Sequence, residues 1–304
     1  MSEQRLSVFK TYKLYVGGKF PRSESGRVYE VTTGTSAAAA AGKNKWLANA
    51  PLSSRKDARD AVVAARKAQG SWAGKTAYLR GQILYRVAEM LEGRKDQFVR
   101  EVADAEGLSK SKAAAVVDAA IDRWVWYAGW TDKIAQIVGG GNPVAGPFFN
   151  LSSPEPTGVV TVVAPQKSSF LGLVSVIAPV IATGNTAVVI ASENSPLPAL
   201  SLGEVLATSD LPGGVVNILS GRTAEITPSL AAHQDVNAID LAGVEDDVLA
   251  KELEVAAADN LKRVVRPQPV DWSADPGTHR LTAFLETKTV WHPTGSLGAS
   301  GSSY

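Results

Sequence analysis

Serine, lysine and histidine supply the nucleophile-like and proton-transferring groupings in this sequence, because it contains no cysteine. Disulfides, thiolate zinc sites, iron–sulfur clusters and a cysteine nucleophile are thereby excluded. The three histidines, His233, His279 and His292, lack the close spacing of a metal-binding pair. His233 follows SLAA and precedes Gln-Asp, which places it at a helix C-terminus. Ser53-Ser54-Arg55-Lys56 has the form S-x-x-K, yet it stands at a helix start, where serine serves as a cap. Lys167 is a candidate reactive amine, since a desolvated lysine forms Schiff bases; the simpler reading is an ion-paired or solvated ammonium on a loop. GGGNPVAGP, from Gly139, has the glycines of a phosphate cradle, but no strand leads into it and Pro143 follows. No constellation unites nucleophile, base and orienting group.

The elements that would position such groups fall into two halves. In the first, Ser54 and Asp57 match the [ST]-x-x-[DE] helix start, and Ala58, Ala61, Val62 and Ala65 follow at helical spacing. Further helices fit 77–92, about 95–105 and about 110–130. Trp124, Trp126, Tyr127 and Trp130 lie at helical spacing in the last of these and read as packing residues rather than a binding platform. Residues 12–32 read as a short strand pair around Gly17-Gly18, 37–41 as an alanine-rich stretch, and 147–163 as two strands bent at SSPEP. From Thr157 onward strands (158–164, 186–190, 215–219, 237–241 and 261–265) alternate with helices (about 169–183, 196–208, 223–233 and 245–259). That alternation implies a parallel sheet covered on both faces, with ligands at the carboxyl ends of its strands. A proline-bearing connector, PQPVDWSADPGTH, then leads to a strand-like LTAFLETKTVWHP and a Gly/Ser tail expected to be disordered.

Composition narrows the function classes. The 304 residues carry 31 Lys plus Arg against 30 Asp plus Glu, a net charge of +1, so no strong field exists for nucleic acid or an anionic membrane. Hydrophobic residues make up 45%, enough for a sizeable core. The most apolar stretch, Phe170 to Ala182, contains Pro179 and is shorter than the ~20 residues of a membrane span. The N-terminus has no signal-peptide core, and a cytoplasmic protein is expected.

The stretches ILYRVAEML, DAAIDRWVWYAGWTDKIA, GPFFNLSSPEPTGVV, IAPVIATGNTAVV, SENSPLPALSLGEVL, LPGGVVNILSG, AAADNLKRV and AFLETKTVWHP resemble, in order and spacing, the aldehyde dehydrogenase superfamily. The resemblance implies an α/β fold: a Rossmann-like parallel sheet with flanking helices plus a projecting β oligomerisation element completed by the last strand. It divides the chain into an N-terminal helical part of the cofactor-type domain (1–138), oligomerisation strands (139–163) and a Rossmann-like core (164–265). A linker (266–279) stands where the family has its catalytic domain, and 280–304 hold the C-terminal oligomerisation strand and tail.

On the same resemblance, the functional positions have changed. The family's Pro-Trp-Asn-[Phe/Tyr]-Pro turn becomes Pro165-Gln166-Lys167-Ser168-Ser169, with Lys167 where the oxyanion-stabilising Asn belongs. The ribose-gripping Lys-Pro-Ser-Glu run becomes Ile190-Ala191-Ser192-Glu193, which keeps only the Glu, and the general-base position becomes Pro267. The phosphate-binding Phe-Thr-Gly-Ser-Thr run becomes Leu241-Ala242-Gly243-Val244-Glu245, followed by Asp246 and Asp247. Three carboxylates at a helix start stabilise its dipole but repel a pyrophosphate, by roughly 3–4 kcal/mol per contact at about 4–6 Å before salt screening. The expectation is therefore no catalytic residue, vestigial cofactor-binding positions Glu193 and Gly243, and no bound NAD(P). The role that follows is a non-catalytic structural or regulatory subunit. It would pair with a full-length aldehyde dehydrogenase, or with itself, through 147–163 and 281–292. The rival expectations are an oxidoreductase completed by a partner and a nucleotide-binding sensor.

Overall fold

Near the N-terminus the backbone turns back on itself at Gly17 and Gly18, both at positive φ, where Val16 and Lys19 bridge. KLYV thus folds back on KF as the 12–32 reading expects, with the Leu14 N–H also donating to Pro21 O at 3.1 Å. Tyr15 in addition bridges antiparallel to Ile218. The strand β1 (Val28–Thr32) pairs with β2 (Trp46–Pro51), an element whose sequence carries no clear alternation. The computed structural model describes residues 9–33 and 45–294, so the alanine-rich stretch 37–41 and the tail 295–304 lie outside the described residues.

Ser54 caps α1 (Arg55–Ala73) as its spacing to Asp57 predicts: its Oγ accepts from the Lys56 and Asp57 N–H groups, and Asp57 Oδ2 accepts the Ser54 N–H at 2.8 Å. Three helices follow: α2 (Ala77–Glu92), α3 (Lys95–Glu106) and α4 (Lys110–Trp130). Trp124 and Tyr127 of α4 are fully buried, and Trp126 packs on Trp130, so this aromatic group is core. A short α5 (Ile134–Val138) leads into β3 (Gly140–Asn142), which turns part of the GGGNP loop into an edge strand.

SSPEP does not bend the chain. It lies inside one strand, β4 (Phe148–Pro156), paired along its whole length with the last strand of the chain. Pro154 and Pro156 are tolerated there because β3 pairs only with Asn150–Ser152, leaving the rest of β4 with one neighbour. Val159–Val163 (β5) belongs to a different sheet from these projecting strands. After it come α6 (Leu171–Ala182), β6 (Thr186–Ile190), α7 (Leu197–Leu206), β7 (Val216–Leu219), α8 (Thr223–Ala231), β8 (Ala238–Asp240), α9 (Asp247–Ala258) and β9 (Arg263–Val265). The five strands are parallel, in the order β7-β6-β5-β8-β9, matching the Rossmann-like arrangement expected.

Alternation along these strands divides the core. Val160, Val162, Ala187 and Val189 face α2, α3, α4, α6 and α7, while Val159, Val163, Val188 and Ile190 face α1, α8 and α9. Beyond β9 the connector reaches one helical turn, α10 (His279–Thr282), before the final strand β10 (Leu285–Pro293). The strand thus starts later than the 281–292 reading, because Arg280 and Leu281 are buried in the helical turn. No described helix is long and apolar enough to cross a membrane.

Candidate functional site

The carboxyl ends of β5, β6 and β8 bring three loops to one edge of the parallel sheet. Gln166 stitches the first two together. Its Nε2 donates to Ala164 O at 2.9 Å, its Oε1 accepts the Glu193 N–H at 2.8 Å, and its carbonyl accepts from Ser192 Oγ at 3.0 Å. The next residues are anchored by Glu106 of α3, whose Oε1 accepts both the backbone N–H and the hydroxyl of Ser169, each at 2.8 Å. Burial pushes the Glu106 carboxyl above its ordinary pKa, against the pull of those hydrogen bonds.

Glu193 stands at the end of β6, where the sequence places a ribose contact. Its Oε1 accepts from Arg222 Nη1 at 2.6 Å and its Oε2 accepts the Thr223 N–H at 3.1 Å. It therefore caps α8, whose own N-cap residue, Arg222, makes no side-chain cap. Ile190, in place of a cation, is fully buried in β6. Gly243 lies flat on the end of β5: its N–H donates to Val163 O at 3.0 Å, and a Cβ here would sit 1.9 Å from Ala164 O. Glycine is required at this position by the backbone crossing itself.

The carboxylates that follow Gly243 are largely spoken for. Glu245 Oε1 lies 3.1 Å from Lys167 Nζ, and Asp246 Oδ1 caps α9 by accepting the Val248 N–H at 2.8 Å. Lys167 is thus a highly exposed ion-paired lysine, not a desolvated amine. Pro267 lies just past β9 and carries no proton acceptor. Among the described residues no group of three or more His, Asp or Glu could hold a metal ion.

Three further residues of this edge were not legible as site residues. Arg222 reads as a surface cation until the fold sets it on Glu193. Arg123, inside an apolar helical stripe, donates to Ser175 Oγ and to the Trp272 and Ala274 carbonyls of the connector. Asp240, a lone carboxylate in the apolar run NAIDL, is completely buried, and that run was the signal available to find it. The edge thus brings together a carboxylate after β6 with a guanidinium from the turn after β7, a helix N-terminus after β8 with the ammonium of the loop after β5, and between them a loop too tight for a side chain.

The aldehyde dehydrogenase family profile matches residues 31–266. This chain belongs to the aldehyde dehydrogenase family. It is 34% identical to retinal dehydrogenase 2 of Gallus gallus over 84% of its own length and 48% of that protein. It is 30% identical to aldehyde dehydrogenase, cytosolic 1, of Elephantulus edwardii, covering 83% of this chain and 49% of the relative. The chain thus spans about half the length of these curated relatives. Among solved structures, an NAD+ complex of an aldehyde dehydrogenase from Bacillus cereus superposes with a TM-score of 0.76 at 25% identity, over 84% of this aldehyde dehydrogenase-family chain and 50% of the other.

That neighbour corrects one expectation. A family fold of this kind solved with NAD+ in place overturns the reading that the edge takes no cofactor, and it points to a nicotinamide dinucleotide. Repulsion of a pyrophosphate requires the three carboxylates at the start of α9 to be free. The structure instead pairs Glu245 with Lys167 and commits Asp246 to its own helix, so the local charge facing a phosphate is smaller than the sequence implies.

Proposed function

We propose that this chain is a non-catalytic aldehyde dehydrogenase-family subunit that keeps a nicotinamide dinucleotide site. The observation that carries the non-catalytic part is the connection between β9 and α10. Residues 266–278 make it without a helix or strand, in the interval where the family resemblance locates the catalytic domain. The absence of cysteine from the sequence, with Lys167 and Pro267 at the oxyanion and base positions, supports the same reading. A bound nicotinamide dinucleotide would supply a hydride acceptor; this chain has no cysteine to form the thiohemiacetal from which hydride would leave. Its own residues would hold the ligand: Glu193 and Arg222 beside the adenosine ribose, and the α9 N-terminus with Lys167 beside the phosphates.

Assembly is the second half of the proposal. The three-stranded sheet β10-β4-β3 leaves one edge of β10 unpaired among the described residues and exposes Phe148, Phe149, Leu151 and Trp291. Free strand edges and clustered exposed aromatics favour a partner, which we take to be a full-length aldehyde dehydrogenase, with a second copy of this chain as the competing occupant. The purified chain, incubated with aldehydes and NAD or NADP, should form no reduced cofactor above a heat-killed control, while calorimetry detects dinucleotide binding. Aldehyde-dependent reduction by the chain alone would overturn the non-catalytic reading.

A further inference from the structure

Given the nucleotide-binding reading above, on which this inference rests, the Glu193–Arg222 pair bears on which dinucleotide is taken. In doubly wound sheets an acidic side chain accepts the adenosine ribose hydroxyls of NAD, whereas a nearby arginine accommodates the 2′-phosphate of NADP. Here both residue types meet at the end of β6, so the choice turns on which retains capacity to bind.

Glu193 is the more committed of the two. Each of its oxygens already has a donor, Arg222 Nη1 at 2.6 Å and the Thr223 N–H at 3.1 Å, and the second contact caps α8. A ribose diol arriving here meets an acceptor whose negative charge is matched and whose position is fixed by a helix start. Arg222 is the opposite case. Its guanidinium has five N–H donors, and the bond to Glu193 is the sole hydrogen bond it makes among the described residues. It lies over the Tyr29 ring, 5.4 Å from the centroid, and its side chain is 48% exposed. The N–H groups that it does not give to Glu193 are available to a phosphate, which a guanidinium takes by two parallel bonds. Hydrogen bonding to Glu193 raises its pKa further, so it stays charged at every working pH.

We propose that Arg222 makes this site select a dinucleotide phosphorylated on the adenosine ribose, NADP over NAD. Calorimetric titration of the full chain with NADP and, separately, NAD tests it without any turnover. NADP should bind at least about tenfold more tightly. Arg222→Ala, checked for folding by circular dichroism, should abolish that preference by weakening NADP about tenfold while changing NAD two- to threefold at most. Arg222→Lys, which keeps the charge but loses the fork, should fall between. Equal or tighter binding of NAD by the unaltered chain, or equal weakening of both ligands by Arg222→Ala, overturns this inference and leaves the nucleotide site standing. Binding of neither dinucleotide overturns the nucleotide-binding reading itself, and this inference with it.

Discussion

Asp240 and Arg280 form a buried pair that joins the carboxyl end of β8 to α10, just ahead of the C-terminal strand. Asp240 Oδ2 accepts from Arg280 Nη1 at 2.7 Å, while Asp240 Oδ1 accepts the Ala242 N–H at 3.0 Å in the loop that leads to α9. The Arg280 guanidinium also lies over the ring of Trp272, 5.0 Å from its centroid. With Arg123 holding the Trp272 and Ala274 carbonyls, the connector is pinned on both sides by cations drawn from the core. The connector is thus held to the core at Trp272 and Ala274 while most of 266–278 stays exposed, and Phe284 just beyond it is tied back through its carbonyl, which accepts from Asn185 Nδ2 at 2.9 Å.

Removing one member of the pair should therefore be costly. Burial pushes the Asp240 carboxyl up and the adjacent guanidinium pulls it back, so Arg280→Met leaves a carboxyl with nothing to offset its desolvation. Breaking one side of a buried pair costs about 3–5 kcal/mol, while replacing both members by apolar residues is often neutral. Urea denaturation should show a large loss for Arg280→Met and a recovery of much of it for Asp240→Leu combined with Arg280→Met. Equal losses in the single and double variants would show that packing, not charge pairing, holds the connector.

Local rules made most of the fold legible. Helix caps such as Ser54, apolar stripes in α2 and α4, and the alternating strands and helices beyond Thr157 are written in residues close in sequence, and the structure follows them. What was not legible depends on partners far away in the chain. β2 is a strand because Val28–Thr32 lies beside it, and β4 runs straight through SSPEP because β10, from the other end of the chain, pairs with every residue of it. The same holds at the ligand edge. The carboxylates after Gly243 were visible, but the charges that offset them were not: Lys167 is 78 positions from Glu245 in sequence and 3.1 Å away in the fold.

Glu106 should give the molecule a measurable pH dependence. Its folded pKa is raised above the ordinary 4.5, chiefly by burial, so the folded state holds its proton more tightly than the unfolded state does. A raised carboxyl pKa means stability is lost as pH rises from about 4.5 through the folded value, and is restored below it. Glu106→Gln should flatten that part of the curve of unfolding free energy against pH while keeping an acceptor for Ser169. An unchanged slope in the variant would assign the dependence to other groups.

Lys167 and Glu245 are both exposed, so their pair should add little to stability, within about 1 kcal/mol. Its consequence should lie in ligand binding. Lys167→Ala leaves Glu245 uncompensated at the start of α9 and should weaken dinucleotide binding severalfold at low salt, with the difference shrinking as salt is raised. Lys167→Ala combined with Glu245→Ala should recover the part of the affinity lost to the uncompensated Glu245. Calorimetry at two ionic strengths checks this, and a weakening independent of salt would count against charge as its cause.

Trp291 and Phe148 meet edge to face at the tip of the projecting sheet, with centroids 5.8 Å apart, and both are exposed. Trp291 sits on β10 directly opposite Asn150, and Phe148 on β4 opposite Pro293, so the pair presents apolar area on two neighbouring strands without supporting the core. Side chains of this kind lose little folding stability when made polar, but they cost a great deal when they anchor an interface, where truncating one aromatic removes about 2 kcal/mol or more. Trp291→Ser with Phe148→Ser should therefore leave the urea midpoint almost unchanged and shift the assembly toward monomer in light scattering. If β10 is the docking strand, Thr289→Pro, on the same strand, should act in the same direction by removing a backbone donor. A chain that is monomeric both before and after these changes would remove self-association, leaving co-purification with a full-length aldehyde dehydrogenase as the remaining test of the subunit role. A chain whose oligomeric state survives all three substitutions would place the contact elsewhere on the molecule.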